Sequence, residues 1–284
     1  MPMLSRTRWT WAVPLAVGGS LVLVIVSADV PARGDTGAGR GDAESVRGDT
    51  GSLAAAPRAA RPGTRGLSGR MAPRLDTMVY EFKIRRRYPL PADREGTGRF
   101  ARVSGALAAS RASVRGDGGP EVRYRVEVEE GLPLDGRLFA DAAHRTLNDP
   151  RGWGGGAAEP YRFRPVTSGP VDFVLTLAGP DTTAELCAMS GLDTTEDNVS
   201  CDSAETDRVV INAYRWAQGA DTFGGDIRGY RQMVINHEVG HRLGHDHVGC
   251  AAAGALAPVM MQQTKSLSTE GVGCLPNPWP YQIS

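Results

Sequence analysis

The stretch that decides the fold of this chain is His237-Glu238-Val239-Gly240-His241-Arg242-Leu243-Gly244-His245-Asp246-His247. It has the pattern H-E-x-x-H-x-x-G-x-x-H, and we predict a helix over Tyr230–Leu243. Residues four apart on a helix differ by about 40° in azimuth and about 6 Å in height. His237 and His241 therefore project from one face and can bind one ion. Glu238 stands beside His237, where its carboxylate can reach a water on that ion.

The third ligand depends on a turn after the helix. Gly244 is predicted to end the helix, because glycine tolerates the left-handed conformation common at helix C-termini. The returning chain would then deliver His247, with His245 and Asp246 as rival ligands. Three protein ligands leave a fourth position open for water, which is typical of catalytic zinc sites. We predict Zn²⁺, although copper and nickel also accept imidazole ligands.

The alternative interpretation is a group of packed or surface histidines at a helix end. The chain has five histidines, of which three fill the pattern and a fourth, His245, lies inside it. This concentration favours a metal site.

The N-terminus has the features of an export signal. Arg6 and Arg8 precede an apolar run over Trp11–Val26, and Val26-Ser27-Ala28 resembles a cleavage site. The run is shorter than the ~20 residues that a spanning helix needs. Residues 1–28 are therefore predicted to be a cleaved signal peptide, with an uncleaved signal anchor as the alternative. Either one places the following domain in the cell envelope or outside the cell.

Residues 29–74 are predicted to form a disordered linker. They are rich in Gly, Ala, Arg, Asp and Pro, with hardly any large apolar residue, so they cannot bury enough surface to fold. Residues 1–75 carry ten arginines and five acidic residues, which leaves a net charge of −5 for the remainder of this neutral chain. A mildly acidic domain gives no electrostatic reason to expect a nucleic-acid partner.

Four cysteines suit an oxidising compartment. They allow three connectivities, and we favour the local pairs Cys187–Cys201 and Cys250–Cys274. Metal ligation is the alternative, but the chain lacks a C-x-x-C pair.

The remaining chain, residues 75–284, is predicted to be one α+β domain with a small mixed sheet and an active-site helix. Asp135 is expected to cap a helix that Asp149-Pro150 stops. Strands are predicted from alternation and β-branched runs at Val79–Ile84, Val122–Glu129, Phe173–Leu177 and Val209–Asn212.

A methionine segment, Pro258-Val259-Met260-Met261-Gln262, follows the histidine pattern. Together the two motifs resemble the metzincin clan of zinc peptidases. The resemblance implies that His237, His241 and His247 bind zinc and that Glu238 is the general base. It makes Met260, or alternatively Met261, the methionine of a turn beneath the metal. Several metzincins place a tyrosine two residues after that methionine, where this chain has Gln262.

The chain also resembles a family of exported proteins from high-GC Gram-positive bacteria, known mainly as a domain of unknown function and presumed to be peptidases. The resemblance covers about residues 75–284. Its landmarks are Val122–Glu129, Leu147–Trp153, Asn212, Arg215-Trp216, Tyr230-Arg231, the histidine helix, Ala257–Thr264 and Asn277–Pro280.

The expected function is therefore an exported, monomeric zinc metallopeptidase that hydrolyses peptide bonds with a zinc-bound water activated by Glu238. Its partner would be a peptide or protein substrate, paired as an added strand beside a sheet edge for which Phe173–Leu177 is the candidate. Membrane contact would come only through the N-terminal segment. The alternatives are an amidase of cell-wall peptides and a non-catalytic zinc-binding or adhesion module. Arg215-Trp216 and Tyr230-Arg231 could line the cleft, but we favour packed aromatic side chains and solvated arginines.

Overall fold

The computed structural model describes residues 68–104, 119–155 and 161–282, with side chains from Leu75 onward. The predicted signal segment and the linker up to residue 67 lie outside the described residues. The described residues all belong to one compact unit. Within them, eight strands and five α-helices confirm the predicted α+β class with a mixed sheet.

One sheet organises the domain, with strands in the order β1-β2-β4-β6-β5 and with β3 also paired to β2. β2, β3, β4 and β6 run parallel, whereas β1 and β5 pair antiparallel with their neighbours. The strands are β1 (Phe100–Arg102), β2 (Glu121–Glu129), β3 (Arg162–Pro165), β4 (Phe173–Ala178), β5 (Cys201–Ser203) and β6 (Arg208–Asn212). A separate hairpin consists of β7 (Ser268–Thr269) and β8 (Val272–Gly273).

The three predicted strands at the centre of the sheet are confirmed as β2, β4 and β6. All six residues of β4 are buried, as expected for a parallel strand covered on both faces. The expectation that Phe173–Leu177 forms a sheet edge is wrong, because β4 lies between β2 and β6. The edge that contacts the histidine helix is β5.

The predicted strand at Val79–Ile84 is also wrong. These residues end a 17-residue helix, α1 (Ser68–Ile84), which begins before the predicted domain start at residue 75. The same letters that alternate like a strand place Tyr80 and Ile84 four residues apart. Both side chains are buried, so helical spacing accounts for the packing.

Three of the other four helices begin at a polar side-chain cap, and the fourth begins after Gly179 without one. The Asp135 carboxylate accepts hydrogen bonds from the backbone N–H groups of Arg137 and Leu138, which confirms the predicted cap. The remaining helices are α2 (Gly136–Leu147), α3 (Pro180–Ala188), α4 (Ala213–Gln218) and α5 (Ile227–Arg242).

Arg231 on α5 corrects the expectation of solvated arginines. Its guanidinium is fully buried and donates to the carbonyl oxygens of Lys83, Ile84 and Arg86, and to that of Trp216. Carbonyls at a helix C-terminus lack partners within the helix. Arg231 therefore fastens the end of α1 to α5. Burial lowers its pKa to about 10.

All four cysteines are paired as predicted, in Cys187–Cys201 and Cys250–Cys274. The first pair joins α3 to β5. The second closes the segment after the histidine helix. Two disulfides suggest an extracellular location. Among the described helices, none has the length and apolar character needed to cross a membrane.

Candidate metal centre

Helix α5 places the first two histidines and the glutamate. It begins at Asp226, whose carboxylate accepts the backbone N–H of Gly229. Its length puts His237 and His241 one turn apart near the C-terminal end. His237 and Glu238 are 7% and 5% exposed, so both side chains lie below the protein surface.

The helix ends as the glycine predicts. Gly244 has φ +90°, and its N–H donates to the carbonyl of His241, while the N–H of His245 donates to that of Gly240. This pair of bonds is a Schellman motif, in which a left-handed residue closes the helix and reverses the chain. The reversal brings His247 back toward the helix face.

The structure brings the three predicted histidines together. One ring nitrogen from each of His237, His241 and His247 lies within 4.8 Å of the other two, and the Nε2 atoms of His241 and His247 are 3.1 Å apart. The rival ligands lie outside this group. The ring of His245 stacks on Trp153 with centroids 4.5 Å apart.

Hydrogen bonds orient two of the rings. The Nδ1 atoms of His237 and His241 are each 2.9 Å from a carbonyl oxygen, those of Val259 and His245 respectively. A ring that donates through Nδ1 presents an unprotonated Nε2 to a metal, the usual arrangement around metal-binding histidines. Burial lowers the pKa of His237 to about 3 and also lowers that of His247. Both rings are therefore held in the neutral form that binds metals.

The methionine turn holds both ends of the ligand set. The N–H of Met261 donates to the carbonyl of Pro258 at 2.9 Å, which closes the turn. Within it, the Val259 carbonyl accepts from the first ligand, His237. The Met260 carbonyl accepts at 3.1 Å from the N–H of Val248, the residue after the third ligand.

Met260, not Met261, lies against the histidine helix. A Cβ atom at Gly240 would stand 2.4 Å from the Met260 sulfur and 2.9 Å from the Trp153 ring, so only glycine permits this approach. Met261 packs instead with Ala257 and the Cys250–Cys274 pair.

A buried amide pair beneath the turn was missed by the sequence reasoning. The Gln263 amide donates to the carbonyls of Pro258 and Asn277 and accepts the N–H of Asn277. The Asn277 amide in turn donates to the carbonyls of Ala257 and Trp279. The sequence signals were the landmarks Ala257–Thr264 and Asn277–Pro280, which contain Gln263 and Asn277 respectively.

A second missed feature connects α5 to the sheet edge. Arg242, directly after the second ligand, pairs with Asp202 of β5 at 2.6 Å and is 16% exposed. Burial raises the pKa of Asp202 above its usual value, and the positive charge of Arg242 offsets only part of that rise. The ion pair fixes β5 beside the histidines.

A cavity of about 280 Å³ opens onto the three histidines and Glu238. Burial raises the pKa of Glu238 well above its usual value, and the charge of Asp202 adds to that rise. A second cavity, of about 420 Å³, shares His247, Gln262 and Lys265 with the first. The third ligand and Gln262 therefore stand where two cavities meet.

The donor set suits a divalent cation. Three neutral imidazoles converge, two with their outer nitrogens bonded to carbonyls, and a carboxylate lies next to them without belonging to the ligand group. Three nitrogen ligands leave a coordination position for a water or a substrate.

The family model described as "Protein of unknown function (DUF3152)" matches residues 88–282, and the chain belongs to this family. Searches of the curated proteins and of the solved structures found no match.

Proposed function

We propose that this member of a family of unknown function is an exported zinc metallopeptidase of the metzincin type. The observation that carries the proposal is the convergence of His237, His241 and His247 within 4.8 Å, with Glu238 in the same cavity. In a purely structural metal site such a carboxylate would serve to orient a ligand ring, but His237 and His241 are already oriented by carbonyls. Two disulfides support export.

Zinc is the metal that the ligands favour, because three imidazoles match its borderline softness and its tetrahedral preference. When bound, zinc supplies a Lewis acid for the scissile carbonyl and lowers the pKa of water. The chain must supply the base.

Glu238 fills the role of the base. Its carboxylate accepts a proton from the attacking water and delivers it to the leaving amine. Burial raises the pKa of Glu238 toward neutrality. A carboxyl group with a pKa near the working pH can both accept a proton from water and donate it to the leaving amine. A dication among the histidines would favour its ionised form.

Strand β5 is the element that fits an extended substrate. It is the outermost strand of its side of the sheet, and Cys201 and Asp202 border the cavity. An extended peptide can add to such an edge through backbone hydrogen bonds. Gln262, at the junction of the two cavities, offers an amide N–H₂ as a donor for the developing oxyanion.

The test is cleavage of a peptide library by the full chain, after metal removal and after reconstitution with zinc. We expect cleavage only with metal, and the same activity in His245→Ala, whose ring stacks on Trp153. Cell-wall peptides assayed in parallel separate a peptidase from an amidase. Stoichiometric zinc binding without any hydrolysis would reject the enzyme and favour a zinc-binding module.

A further inference from the structure

Helix α1 carries an apolar stripe that the rest of the described chain leaves uncovered. Leu75, Met78, Val79 and Phe82 follow the spacing i, i+3, i+4, i+7, so they share one face of the helix. Each of the four is between 52% and 68% exposed. A contiguous apolar stripe of this kind marks a surface that contacts something else.

This α1 stripe belongs to a firmly held helix. The adjoining face is packed through Tyr80 and Ile84, which are 7% and 0% exposed. The end of the helix is fastened to α5 by the buried guanidinium of Arg231. The stripe is therefore a fixed feature of the domain surface.

Basic side chains border the stripe. Residues 75–87 contain four basic and two acidic residues, and the exposed run Arg85–Arg87 follows the helix directly. The Arg86 guanidinium lies over the Phe82 ring, 5.2 Å from its centroid. Glu81 pairs with Arg85 and Arg228, and Lys83 pairs with Asp135. Among the described residues, Arg86 and Arg87 are the basic side chains of this border that have no ion pair. An apolar stripe with a basic border has the chemistry of a helix that lies in a membrane interface.

We infer that the α1 stripe docks the domain on an anionic membrane surface. Anionic headgroups attract the basic border, whereas a second copy of the stripe would bring the same positive charge against it. If the apolar run Trp11–Val26 is retained as an anchor, the 41 residues between it and α1 would also tether the helix to the membrane. The inference is independent of the proposed peptidase activity.

Docking through α1 would set the orientation of the metal centre. Arg231, which holds α1, and His241 lie ten residues apart on α5, about 15 Å along the helix. Because α1 is fastened to α5, docking would hold the histidines at a fixed distance from the lipid surface.

The experiment is lipid quenching of a fluorophore on the full chain. The four native cysteines are paired, so a single cysteine can be introduced and labelled at Phe82→Cys or, as a control, at Met189→Cys, an equally exposed apolar position on another helix end. The protein is mixed with vesicles of phosphatidylcholine alone or with phosphatidylglycerol, carrying a lipid-borne quencher.

We expect quenching at position 82 on the anionic vesicles only, and little at position 189. Arg86→Gln or Arg87→Gln should each lower the docked-to-undocked ratio about fivefold. Arg164→Gln, which changes an exposed arginine on β3, should not. Equal quenching at positions 82 and 189 would overturn the inference. The inference would also be overturned if, without vesicles, the label at position 82 became buried as the protein concentration rose. That result would mean that a second copy covers the stripe.

Discussion

The two halves of the histidine triad are positioned by different physics. His237 and His241 take their places from the period of a buried helix, and the His237 ring is further oriented by the distant Val259 carbonyl. His247 lies in a segment, Gly244–Cys274, whose only regular structure is the short hairpin of β7 and β8. That segment is held by one disulfide, the methionine turn and the Gln263–Asn277 amide pair.

The contrast teaches where the site is vulnerable. A helix fixes its ligands as soon as it folds, because their spacing is built into the backbone. A loop fixes its ligand only through contacts made far away in the sequence. Damage to the loop half should therefore weaken metal binding before it unfolds the domain, whereas damage to the helix half should do both.

The largest effect is expected from the ligands themselves. His237→Ala and His247→Ala should each weaken zinc binding by more than the roughly 10–100-fold that loss of an outer-shell partner costs. His237→Ala should also lower the unfolding free energy of the metal-free protein, because the His237 ring is buried. His247→Ala should leave that free energy nearly unchanged, because His247 is exposed. Zinc titration and thermal melts measure both. Matched variants His245→Ala and Asp246→Ala should retain zinc, and loss of zinc in either would reassign the third ligand.

Next in size is the disulfide of the loop half. Cys250→Ser with Cys274→Ser opens a loop of 24 residues, which should lower the unfolding free energy by about 3 kcal/mol. Zinc affinity should fall as well, because the segment that carries His247 loses its closure. Removing Cys187–Cys201, which joins α3 to β5 and does not close the segment that carries His247, should cost similar stability and leave the zinc affinity of the folded protein nearly unchanged. Equal losses of zinc affinity in the two double variants would contradict the division into halves.

The contact between the halves is tested at Gly240. Gly240→Val pushes a side chain into the Met260 sulfur and the Trp153 ring, so it should destabilise by about 1–3 kcal/mol. Gly225→Val is the matched control, because no atom lies within 4 Å of the Cβ it would add. Denaturant unfolding of both variants gives the difference. A Gly240→Val protein as stable as Gly225→Val would mean that the turn does not pack as described.

The smallest change per pH unit is predicted for Glu238→Gln in the metal-free protein. Burial raises the folded pKa of Glu238 above 4.5, so wild type should lose stability as pH rises above 4.5, by at most about 1.4 kcal/mol per pH unit, until the folded pKa is passed. Glutamine has no proton to lose and should lack this slope. Between pH 4 and pH 8 the unfolding midpoint of the variant should therefore rise progressively above that of the wild type. Parallel pH profiles of the two proteins would show that Glu238 is not buried in the folded state.

The helix half could be read from the sequence because its rules are local. Spacing predicted the shared face of His237 and His241, Gly244 predicted the left-handed helix end, and both disulfides were predicted as local pairs. Asp135 acted as the cap that its position indicated.

The features that the sequence did not predict depend on partners distant in the chain, or on a hydrophobic pattern that fits both a strand and a helix. The burial of Arg231 depends on carbonyl partners that lie about 145 residues away in the chain. No local sequence pattern predicts such contacts. The order of strands, and so the identity of β5 as the edge beside the site, follows from pairing across the sheet. The segment Val79–Ile84 alternates like a strand yet also carries helical spacing, and its burial against α2 and α5 decided for the helix.

The most direct test of the central claim compares zinc-loaded wild type with zinc-loaded Glu238→Gln on the same peptide substrate. The account predicts equal zinc content in both proteins and turnover lower by about 10²–10⁴-fold in the variant, because only the proton acceptor has changed. Equal turnover at equal zinc content would contradict it.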